Sequence, residues 1–516
     1  MTRVRPGSLA PQPCVCPLAE PARQRFMSTP VSTPDDDLNE GDGSTAGMAA
    51  RIGRPAGPVL AILAVIATHP AMFGWGALSA DASLTLGLLA LMAVWWVTLA
   101  VEPAVTGLVP FVALALLGIG TPAQISAPYA NDVIFLFAGG TLIGLALERA
   151  GVSARFASVM VRIAGSSPLR VLSALVLATA LLSAFVSNLA TAATMLPLAM
   201  ALGTRVVLDA RGDAQQAAAN RFLTSLLLGV AFASSAGGTL TIIGTAPNAI
   251  AVEWLRNNAE PVDFLGWLTF SVPTLAVFLP LLILVLGVWL FPAKEISIPR
   301  VEHGAKPLGR DGYVVLAVFF VAVTAWVTRP LYTAHVPVVT DGSIAVAASI
   351  ALFLAPSTNG AGVRLLGPGA FAKIPWRVLL LFGGGLCLAD AMQRTGLSAA
   401  LGDLFAGAGV LPSVLLLALL VAAIVFASEV ASNTALAAMV VPIVGALAPG
   451  LGMDPAALVI PAAFAASLAF ALPVGTPPNA LVFGTGRLRA QDMMRAGAVL
   501  DVIAITVIVT MATLLL

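Results

Sequence analysis

The chain has 516 residues, of which 59% are hydrophobic and only 10% are charged, and its mean hydropathy is +0.97. Soluble proteins carry about 25% charged residues, so this composition excludes an ordinary soluble enzyme. The net charge of +1 gives no reason to expect a nucleic-acid partner. Long apolar runs instead predict an all-α polytopic membrane protein embedded in the lipid bilayer.

The N-terminal segment differs from the rest of the chain. Residues 1–54 are rich in Pro, Ser and charged side chains, and such a composition buries too little apolar surface to fold. We therefore expect a disordered cytoplasmic tail over residues 1–54 and a membrane transporter domain over residues 55–516.

Eleven apolar segments have roughly the length of a membrane span. They are 57–77, 84–101, 103–120, 131–152, 222–256, 268–291, 312–328, 341–356, 376–395, 457–484 and 493–516. Two longer apolar stretches, 171–204 and 412–448, carry a polar Ser-Asn pair in the middle. A re-entrant hairpin of two helices fits both, since non-helical backbone at membrane depth requires shelter by protein or a watery cavity.

The distribution of Lys and Arg predicts the orientation. With a cytoplasmic N-terminus, eleven spans and one hairpin entering from each side, only Arg256, Arg329 and Arg394 of the 26 Lys and Arg residues lie outside. Positive residues favour the cytoplasmic side. We therefore expect a multi-pass protein of the inner (plasma) membrane with an external C-terminus.

The chain also contains an internal repeat. The segment LFAGGTLIGLALERAGVSA begins at Leu136, and LFGGGLCLADAMQRTGLSA begins 245 positions later. Ser187-Asn188 recurs as Ser432-Asn433 at the same offset, and GTAPNA from Gly244 recurs as GTPPNA from Gly475. Under the predicted topology the copies, about 84–291 and 312–516, have opposite orientations. Inverted repeats are typical of secondary transporters, whose sites lie at broken helices near the midplane.

The repeated motifs have the chemistry of an ion and anion site. Proline and glycine interrupt a helix, and an interrupted helix exposes carbonyl groups at one end and N–H groups at the other. Carbonyl, hydroxyl and amide oxygens are suitable ligands for a small cation such as Na⁺. Helix N-termini favour an anion. One polar cluster alone would be explained by helix-helix hydrogen bonding, but two clusters at matched positions favour a transport site.

The segments that carry these motifs have almost no charged residues. No Lys or Arg lies in 171–204, 222–252, 412–448 or 455–486, and their single charged residue is Glu429. If the substrate is a dianion, bound cations must neutralise it, because an isolated buried charge is very unfavourable. Glu429 is either a proton carrier or ion ligand, or a residue that caps the second helix of its hairpin or pairs with a donor at the tip. Its first-half counterpart is Ala184, which favours the second interpretation.

With these motifs, the chain resembles the divalent anion:sodium symporter family, the sodium-coupled carriers of dicarboxylates, citrate or sulfate. The resemblance covers about residues 57–516 and depends on Ser-Asn-Thr at 432–434, its partner at 187–189, the two GTxPN segments and LLLFGGGLCL from Leu379. It implies an eleven-span homodimer in which a transport domain moves like an elevator against a scaffold domain.

The family's functional residues can be assigned to matching positions. The resemblance implies two sodium sites, one formed by Ser183, Ser187, Asn188 and Gly244 and the other by Ser428, Ala431, Asn433 and Gly475. It implies substrate contacts by Asn188, Thr245, Ser432, Asn433, Thr434, Thr476 and Pro478. One position departs from the family pattern, because Leu189 replaces the Thr of the first Ser-Asn-Thr motif and removes a hydroxyl donor.

The sequence thus predicts a sodium-coupled symporter of a small divalent anion, with a C4 dicarboxylate such as succinate as the main expectation. Sulfate or another anion of the same family is an alternative substrate. A cation/proton antiporter of similar architecture would require buried carboxylates at both breaks, whereas only Glu429 lies near either. A membrane enzyme is a further alternative, but no paired carboxylates, HExxH motif or nucleophile-histidine arrangement supports it.

Overall fold

The computed structural model describes residues 45–72, 78–294, 296, 298, 307–360, 362–406 and 412–516. Ala49–Leu516 form one compact unit, and Met1–Met48 form another, of which only residues 45–48 are described. The predicted disorder of residues 1–44 and the end of the first predicted span, 73–77, lie outside the described residues.

The described residues contain twenty α-helices and no β-strand. In chain order they are α1 (Thr45–Thr68), α2 (Ala80–Thr98), α3 (Pro103–Leu117), α4 (Pro122–Ser126), α5 (Asp132–Arg149), α6 (Val152–Ala164), α7 (Pro168–Ser183), α8 (Asn188–Asp209), α9 (Asp213–Gly238), α10 (Ala246–Asn258), α11 (Phe264–Leu284), α12 (Arg310–Tyr332), α13 (Asp341–Leu354), α14 (Trp376–Arg394), α15 (Leu397–Ala406), α16 (Ser413–Ser428), α17 (Asn433–Leu447), α18 (Pro455–Ser467), α19 (Pro477–Phe483) and α20 (Ala490–Leu515). A π-helical turn, Val285–Leu290, extends α11.

Many of these helices have the length and composition of membrane spans. Eight segments within the described ranges are long and apolar enough to cross a membrane: α1, α2, α4 with α5, α8, α9, α11 with its π-helical turn, α12 and α20. Six shorter helices are also apolar: α3, α7, α13, α16, α17 and α18. The all-α polytopic architecture predicted from composition is therefore confirmed.

The first helix begins earlier than composition predicts. α1 starts at Thr45 and includes residues 45–54 of the predicted tail, so that boundary is wrong. Its early part is anchored by tertiary contacts, because Gly53 packs closely on Thr98 and the Arg54 Nε donates a hydrogen bond to the Ala100 carbonyl at 3.0 Å. Composition averaged over the tail does not reveal such contacts.

The internal repeat is visible in the helix boundaries. Helices α15, α16 and α17 begin 245 residues after α6, α7 and α8, respectively. α10 and α19 also begin at matching positions, Ala246 and Pro477, which are 231 residues apart. Both predicted hairpin segments therefore consist of two helices joined by a short turn at the Ser-Asn pair.

The two copies pack crosswise. In the first copy α7 and α8 pack against α9, and in the second α16 and α17 pack against α18. Across the copies, α8 packs against α19 while α17 packs against α10. Each hairpin therefore contacts the helix that follows the break of the other copy, which brings all the repeated motifs into one body.

The helix breaks lie slightly earlier than the GTxPN motifs. α9 ends at Gly238 and α10 begins at Ala246, so Pro247 and Asn248 already belong to the first turn of α10. The second break likewise ends at Thr476, immediately before Pro477. Proline is well tolerated in a first turn, where its missing N–H would have no partner within the helix. The non-helical residues are therefore 239–245 and 468–476.

A network of charged side chains, none of which belongs to either break, joins the four helices α5, α10, α12 and α13. Arg256 of α10 lies 2.8 Å from a carboxylate oxygen of Asp132 in α5 and 3.9 Å from one of Asp341 in α13. Arg329 of α12 lies 3.0 Å from the same Asp341 oxygen. The Asp341 side chain is fully buried, so its negative charge depends on these two arginines.

We expect Arg329→Ala to destabilise the protein by about 3 kcal/mol, because it leaves a buried carboxylate with a single, more distant partner. The measurement is the thermal unfolding midpoint in detergent. Arg489→Ala is the matched control, since Arg489 forms an exposed pair with Asp492, and its midpoint should not change. An Arg329→Ala midpoint equal to that of the control would show that this pair contributes little.

Candidate functional site

The tip of the first hairpin is held by hydrogen bonds to α9. The buried Ser183 hydroxyl lies 2.9 Å from the Asn188 side-chain oxygen and 2.6 Å from the Ser234 carbonyl, either of which accepts its proton. The Ser234 hydroxyl donates to the Asn188 backbone carbonyl at 3.0 Å. Ser234, which the sequence did not indicate, thus contacts both Ser183 and Asn188, two of the predicted sodium ligands.

The first break packs directly on this tip. A Cβ atom added to Gly244 would collide with the Gly238 carbonyl and lie 3.1 Å from the Ala184 carbonyl, so only glycine fits there. Gly238 in turn lies against the Asn188 side chain. Gly244 and Asn188 therefore both lie against Gly238.

The remaining predicted residues of the first half lie at helix starts. Ser187 is exposed, and its hydroxyl accepts the Ala190 N–H at 3.3 Å as the N-cap of α8. Thr245 is half-buried and is the N-cap of α10, although its side chain makes no capping bond. Its hydroxyl therefore has no capping role that would compete with a ligand.

Leu189 lines a cavity of about 390 Å³ at this tip and is 48% exposed. Ser187 and Gly244 line the same cavity, together with one acidic residue, Glu148, and one basic residue, Lys373. Leu189 is therefore not buried against a neighbouring helix. The two charged residues have opposite signs, so together they do not neutralise a dianion.

The second hairpin repeats this geometry less tightly. The buried Ser428 hydroxyl donates to the Val425 carbonyl at 2.8 Å and lies 3.5 Å from the Ala465 carbonyl. Ala465 is the counterpart of Ser234, 231 positions later, and offers no hydroxyl. Ala431 is buried, while Ser432 and Thr434 are half-buried at the start of α17.

Three asparagine oxygens are buried without a hydrogen-bond partner among the described residues. They are the Oδ1 atoms of Asn433, Asn248 and Asn479. Asn248 and Asn479 occupy the same place in the two GTxPN motifs. The Asn248 amide donates to the carbonyls of Gly238, at the end of α9, and of Thr241 in the break, and the Asn479 amide donates to the Leu472 carbonyl in its own break. Because an unpaired buried oxygen is costly, these three atoms are candidates to bind a cation or to accept a hydrogen bond.

The second break is anchored by Glu429. Its two carboxylate oxygens accept the N–H groups of Ala471 and Leu472, each at 2.7 Å. Gly475 packs on it, since an added Cβ would lie 2.9 Å from the Glu429 Oε2. The predicted capping of the second hairpin helix by Glu429 is wrong, because the N-cap of α17 is Ser432.

The last two predicted residues lie next to this break. Thr476 is buried, and its hydroxyl accepts the Asn479 N–H at 3.3 Å as the N-cap of α19. Pro478 is also buried. They share a short segment with Gly475, on the helix that packs against α8 of the first hairpin.

Several residues at these breaks were not singled out from the sequence. Asn248 and Asn479 stand inside the repeated motifs, so the repeat itself was a usable signal. Asp501 is the one carboxylate in the apolar part of α20, and its Oδ1 accepts the Phe470 N–H at 3.1 Å. A lone acidic residue in a membrane helix is a signal of its own. The sequence gave no signal for Ser234, Thr241, Trp267 and Ser271, because serine, threonine and tryptophan are common in membrane helices.

The comparisons with known proteins agree with this architecture. The CitMHS family, described as citrate transporters, matches residues 88–460. A sodium-dependent dicarboxylate transporter SdcS of Staphylococcus saprophyticus is 35% identical over 471 residues, which are 89% of this chain and 90% of the relative. The SdcS of Staphylococcus aureus is 34% identical over 470 residues, and the match covers 89% of this chain and 89% of the relative.

A solved structure shares the fold. The YdaH transporter of Alcanivorax borkumensis, whose crystal structure is described as having an unusual topology, superposes with a TM-score of 0.52 at 16% identity. The match covers 91% of this chain and 96% of that one. The chain is therefore a multi-pass membrane transporter and not an enzyme. The predicted family is confirmed, because the chain belongs to the citrate transporter family CitMHS and, with its SdcS relatives, to the divalent anion:sodium symporters.

Proposed function

We propose that this protein is a sodium-coupled symporter that imports a small divalent anion, with a C4 dicarboxylate such as succinate as its main substrate. The observation that carries the proposal is the pair of matched clusters of neutral oxygen atoms, each at a hairpin tip beside a helix break. The SdcS relatives are named sodium-dependent dicarboxylate transporters, which supports the same substrate class.

The cation part of the proposal is supported by the neutral oxygen atoms of both clusters, one of which has no hydrogen-bond partner in the described part of the chain. In the first site Ser183, Ser187, Asn188 and the Gly244 carbonyl are the proposed sodium ligands. In the second they are Ser428, the Ala431 and Gly475 carbonyls, and Asn433, whose side-chain oxygen is buried without a partner among the described residues. Hydroxyl and carbonyl oxygens suit hard cations.

The anion part is supported by helix geometry and charge. α8, α10 and α17 begin at or beside the proposed substrate contacts, and helix N-termini attract anions. The proposed contacts are Asn188, Thr245, Ser432, Asn433, Thr434, Thr476 and Pro478. Each terminus supplies only about half a charge, and no Lys or Arg lies in the motif-bearing segments. Bound sodium ions would supply the missing positive charge, which couples the two substrates.

We further propose that transport follows an elevator mechanism in a homodimer. The crosswise packing of α8 with α19 and of α17 with α10 supports a transport body that contains both sites and moves as a unit. The proposed topology has eleven spans, two re-entrant hairpins, a cytoplasmic N-terminus and an external C-terminus in the plasma membrane.

The direct test is uptake of labelled succinate into proteoliposomes. We expect uptake to require an inward sodium gradient, potassium not to substitute for sodium, and unlabelled sulfate to compete much less than fumarate. Uptake that is independent of sodium, or driven by a proton gradient alone, would refute the proposal. Sulfate competition equal to that of fumarate would assign the alternative substrate of the family.

Asn433→Ala is the informative variant in this assay, since Asn433 is proposed to contact both sodium and substrate. It should lose uptake and also sodium-dependent thermal stabilisation, which reaches about 2.7 kcal/mol for a site at 100 times its Kd. Asn258→Ala is the matched control, because the Asn258 amide donates to the Trp254 carbonyl of its own helix and Asn258 is not a proposed ligand. If sodium stabilises Asn433→Ala as much as the parent protein, the proposed second sodium site is wrong.

The topology gives a separate prediction. Single cysteines at Arg211 and Glu260, introduced into a cysteine-free protein, should react differently with an impermeant maleimide. We expect Glu260→Cys to be labelled from outside intact cells and Arg211→Cys only after permeabilisation. External labelling at position 211 would mean that the orientation is inverted.

Leu189 provides a test of substrate contact. A hydroxyl at this position could donate to a substrate oxygen, and such a hydrogen bond contributes about 0.5–1.5 kcal/mol. We expect Leu189→Thr to tighten succinate binding by up to roughly tenfold, with an unchanged sodium dependence. Leu189→Val is the matched control, because valine has nearly the shape of threonine without the hydroxyl. Equal succinate affinities of the two variants would show that Leu189 does not contact the substrate.

A further inference from the structure

A charged contact joins two groups of helices that would move past each other in an elevator mechanism. The first group, the transport body, consists of α7–α11 and α16–α20, and within it α10 packs on α17 and α18. The second group, the scaffold helices α5, α12 and α13, pack on one another. Guanidinium nitrogens of Arg256 in α10 lie 2.8 Å from a carboxylate oxygen of Asp132 in α5 and 3.9 Å from one of Asp341 in α13. Arg256 therefore connects the transport body to the scaffold helices.

Arg256 and Asp341 each have a second charged partner within their own group of helices. A guanidinium nitrogen of Arg256 lies 3.7 Å from a carboxylate oxygen of Glu253, one turn earlier in α10. The fully buried Asp341 lies 3.0 Å from Arg329 of α12. A buried charge that loses its partner is very unfavourable. These second partners allow the two groups of helices to part without leaving Arg256 or Asp341 unpaired.

Asp132 also keeps hydrogen-bond donors of its own when Arg256 moves away. Its carboxylate accepts a hydrogen bond from the Thr340 hydroxyl and another, at 3.4 Å, from the Gly342 N–H, both at the start of α13. The side chains of Arg256 and Asp132 are 22% and 24% exposed, so water reaches both of them. Ion pairs that water reaches contribute little net stability, and this one is weak enough to break and re-form.

The cavities indicate which side of the membrane is closed when this contact is made. In the proposed topology Arg256 is external and Lys373 is cytoplasmic. Lys373 lines the cavity of Leu189 at the first hairpin tip, so that cavity opens towards the cytoplasm. A cavity of about 800 Å³ lies beside Glu253 and Asn257 on the other side, and its lining among the described residues includes no residue of either tip or break. The external side therefore has no open path to the proposed sites.

We propose that Arg256 and Asp132 form an ionic lock on the external side of the transporter. The lock holds the transport body against the scaffold helices while the sites face the cytoplasm, and it breaks when they face outward. Asp341 adds a more distant attraction to Arg256, and Arg329 keeps Asp341 paired after the lock has opened. This inference rests on the proposed elevator movement, because the contact breaks only if the two groups of helices move relative to each other.

Cross-linking tests whether the contact must break during transport. In a cysteine-free protein, Asp132→Cys is combined with Arg256→Cys, across the contact, or with Thr340→Cys, within the scaffold helices. Each double variant is treated with a short thiol-specific cross-linker that a reducing agent removes, and its succinate uptake is compared before and after treatment. We expect the link between positions 132 and 256 to abolish uptake reversibly. The link between positions 132 and 340 should leave uptake unchanged, because both residues belong to the scaffold helices.

Two results of this comparison would overturn the lock. If uptake continues with positions 132 and 256 linked, the contact does not need to break. If both links abolish uptake equally, the effect is not specific to the contact between the two groups of helices.

External labelling tests whether the contact keeps the external side closed. A single cysteine, Leu189→Cys, reports access to the first tip when an impermeant maleimide is added outside intact cells. Asp132→Asn keeps a side chain that can hydrogen-bond to Thr340 but removes the charge that attracts Arg256. We expect this change to raise the labelling rate of the cysteine about fivefold, the factor that corresponds to a partly exposed ion pair.

Asp390→Asn is the matched control for the labelling experiment. Asp390 lines the external cavity, but it pairs with Arg394 of its own helix at 2.8 Å, so its removal should not change the labelling rate. Equal rates in Asp132→Asn and Asp390→Asn would refute the lock. Labelling requires neither succinate nor sodium. If the parent protein shows no sodium-driven uptake, the proposed function fails, whereas the labelling rates still decide whether the lock exists.

Discussion

Backbone groups that leave a helix inside an apolar core must find new hydrogen-bond partners. Both breaks of this transporter, 239–245 and 468–476, face that requirement, and most of the polar side chains around them meet it. The Asn248 and Asn479 amides each donate to carbonyls of their own break. The asparagine of the repeated Gly-Thr-x-Pro-Asn motif thus stabilises the interrupted helix in both halves.

The two breaks meet this requirement in opposite ways. Around the first, side-chain donors bind backbone carbonyls: Thr241 donates to Ala184, Trp267 to Thr239 and Ser271 to Leu240. Around the second, the carboxyl groups of Glu429 and Asp501 accept backbone N–H groups. The first break is therefore surrounded by neutral donors, and the second by two carboxyl groups that accept its backbone N–H groups.

The repeat explains why so much of the fold could be predicted. The Ser-Asn pairs mark the turns between α7 and α8 and between α16 and α17, because Ser187 and Ser432 are the residues that precede the new helices. The GTxPN motifs mark the starts of α10 and α19 for the same local reason. Contacts between segments distant in sequence could not be predicted in this way. Ser234 joins the first site across 51 positions from Ser183, and Asp501 reaches the second break from a helix 31 positions away.

Local sequence also misjudged one side chain and one segment whose partners lie elsewhere in the chain. Glu429 stands at the end of α16 and four positions before α17, where a capping role was predicted, but its carboxylate reaches the break 42 and 43 positions later. Residues 45–54 have the composition of a tail, yet Gly53 and Arg54 contact the end of α2 and the residues after it. In both cases tertiary contacts override a local preference, as they often do for helices.

The backbone symmetry of the two halves is stricter than their chemical symmetry. Helix starts match at fixed offsets, whereas Ser234 corresponds to Ala465, Ala184 to Glu429 and Leu189 to Thr434. The residues that differ are not among the proposed cation ligands, most of which recur at matched positions: Ser183 and Ser428, Asn188 and Asn433, and Gly244 and Gly475. The residues around them can differ as long as they hydrogen-bond the interrupted backbone of their own break in some way. The two halves therefore need the same path of the chain and the same few polar residues at the tips and breaks, but not the same supporting side chains.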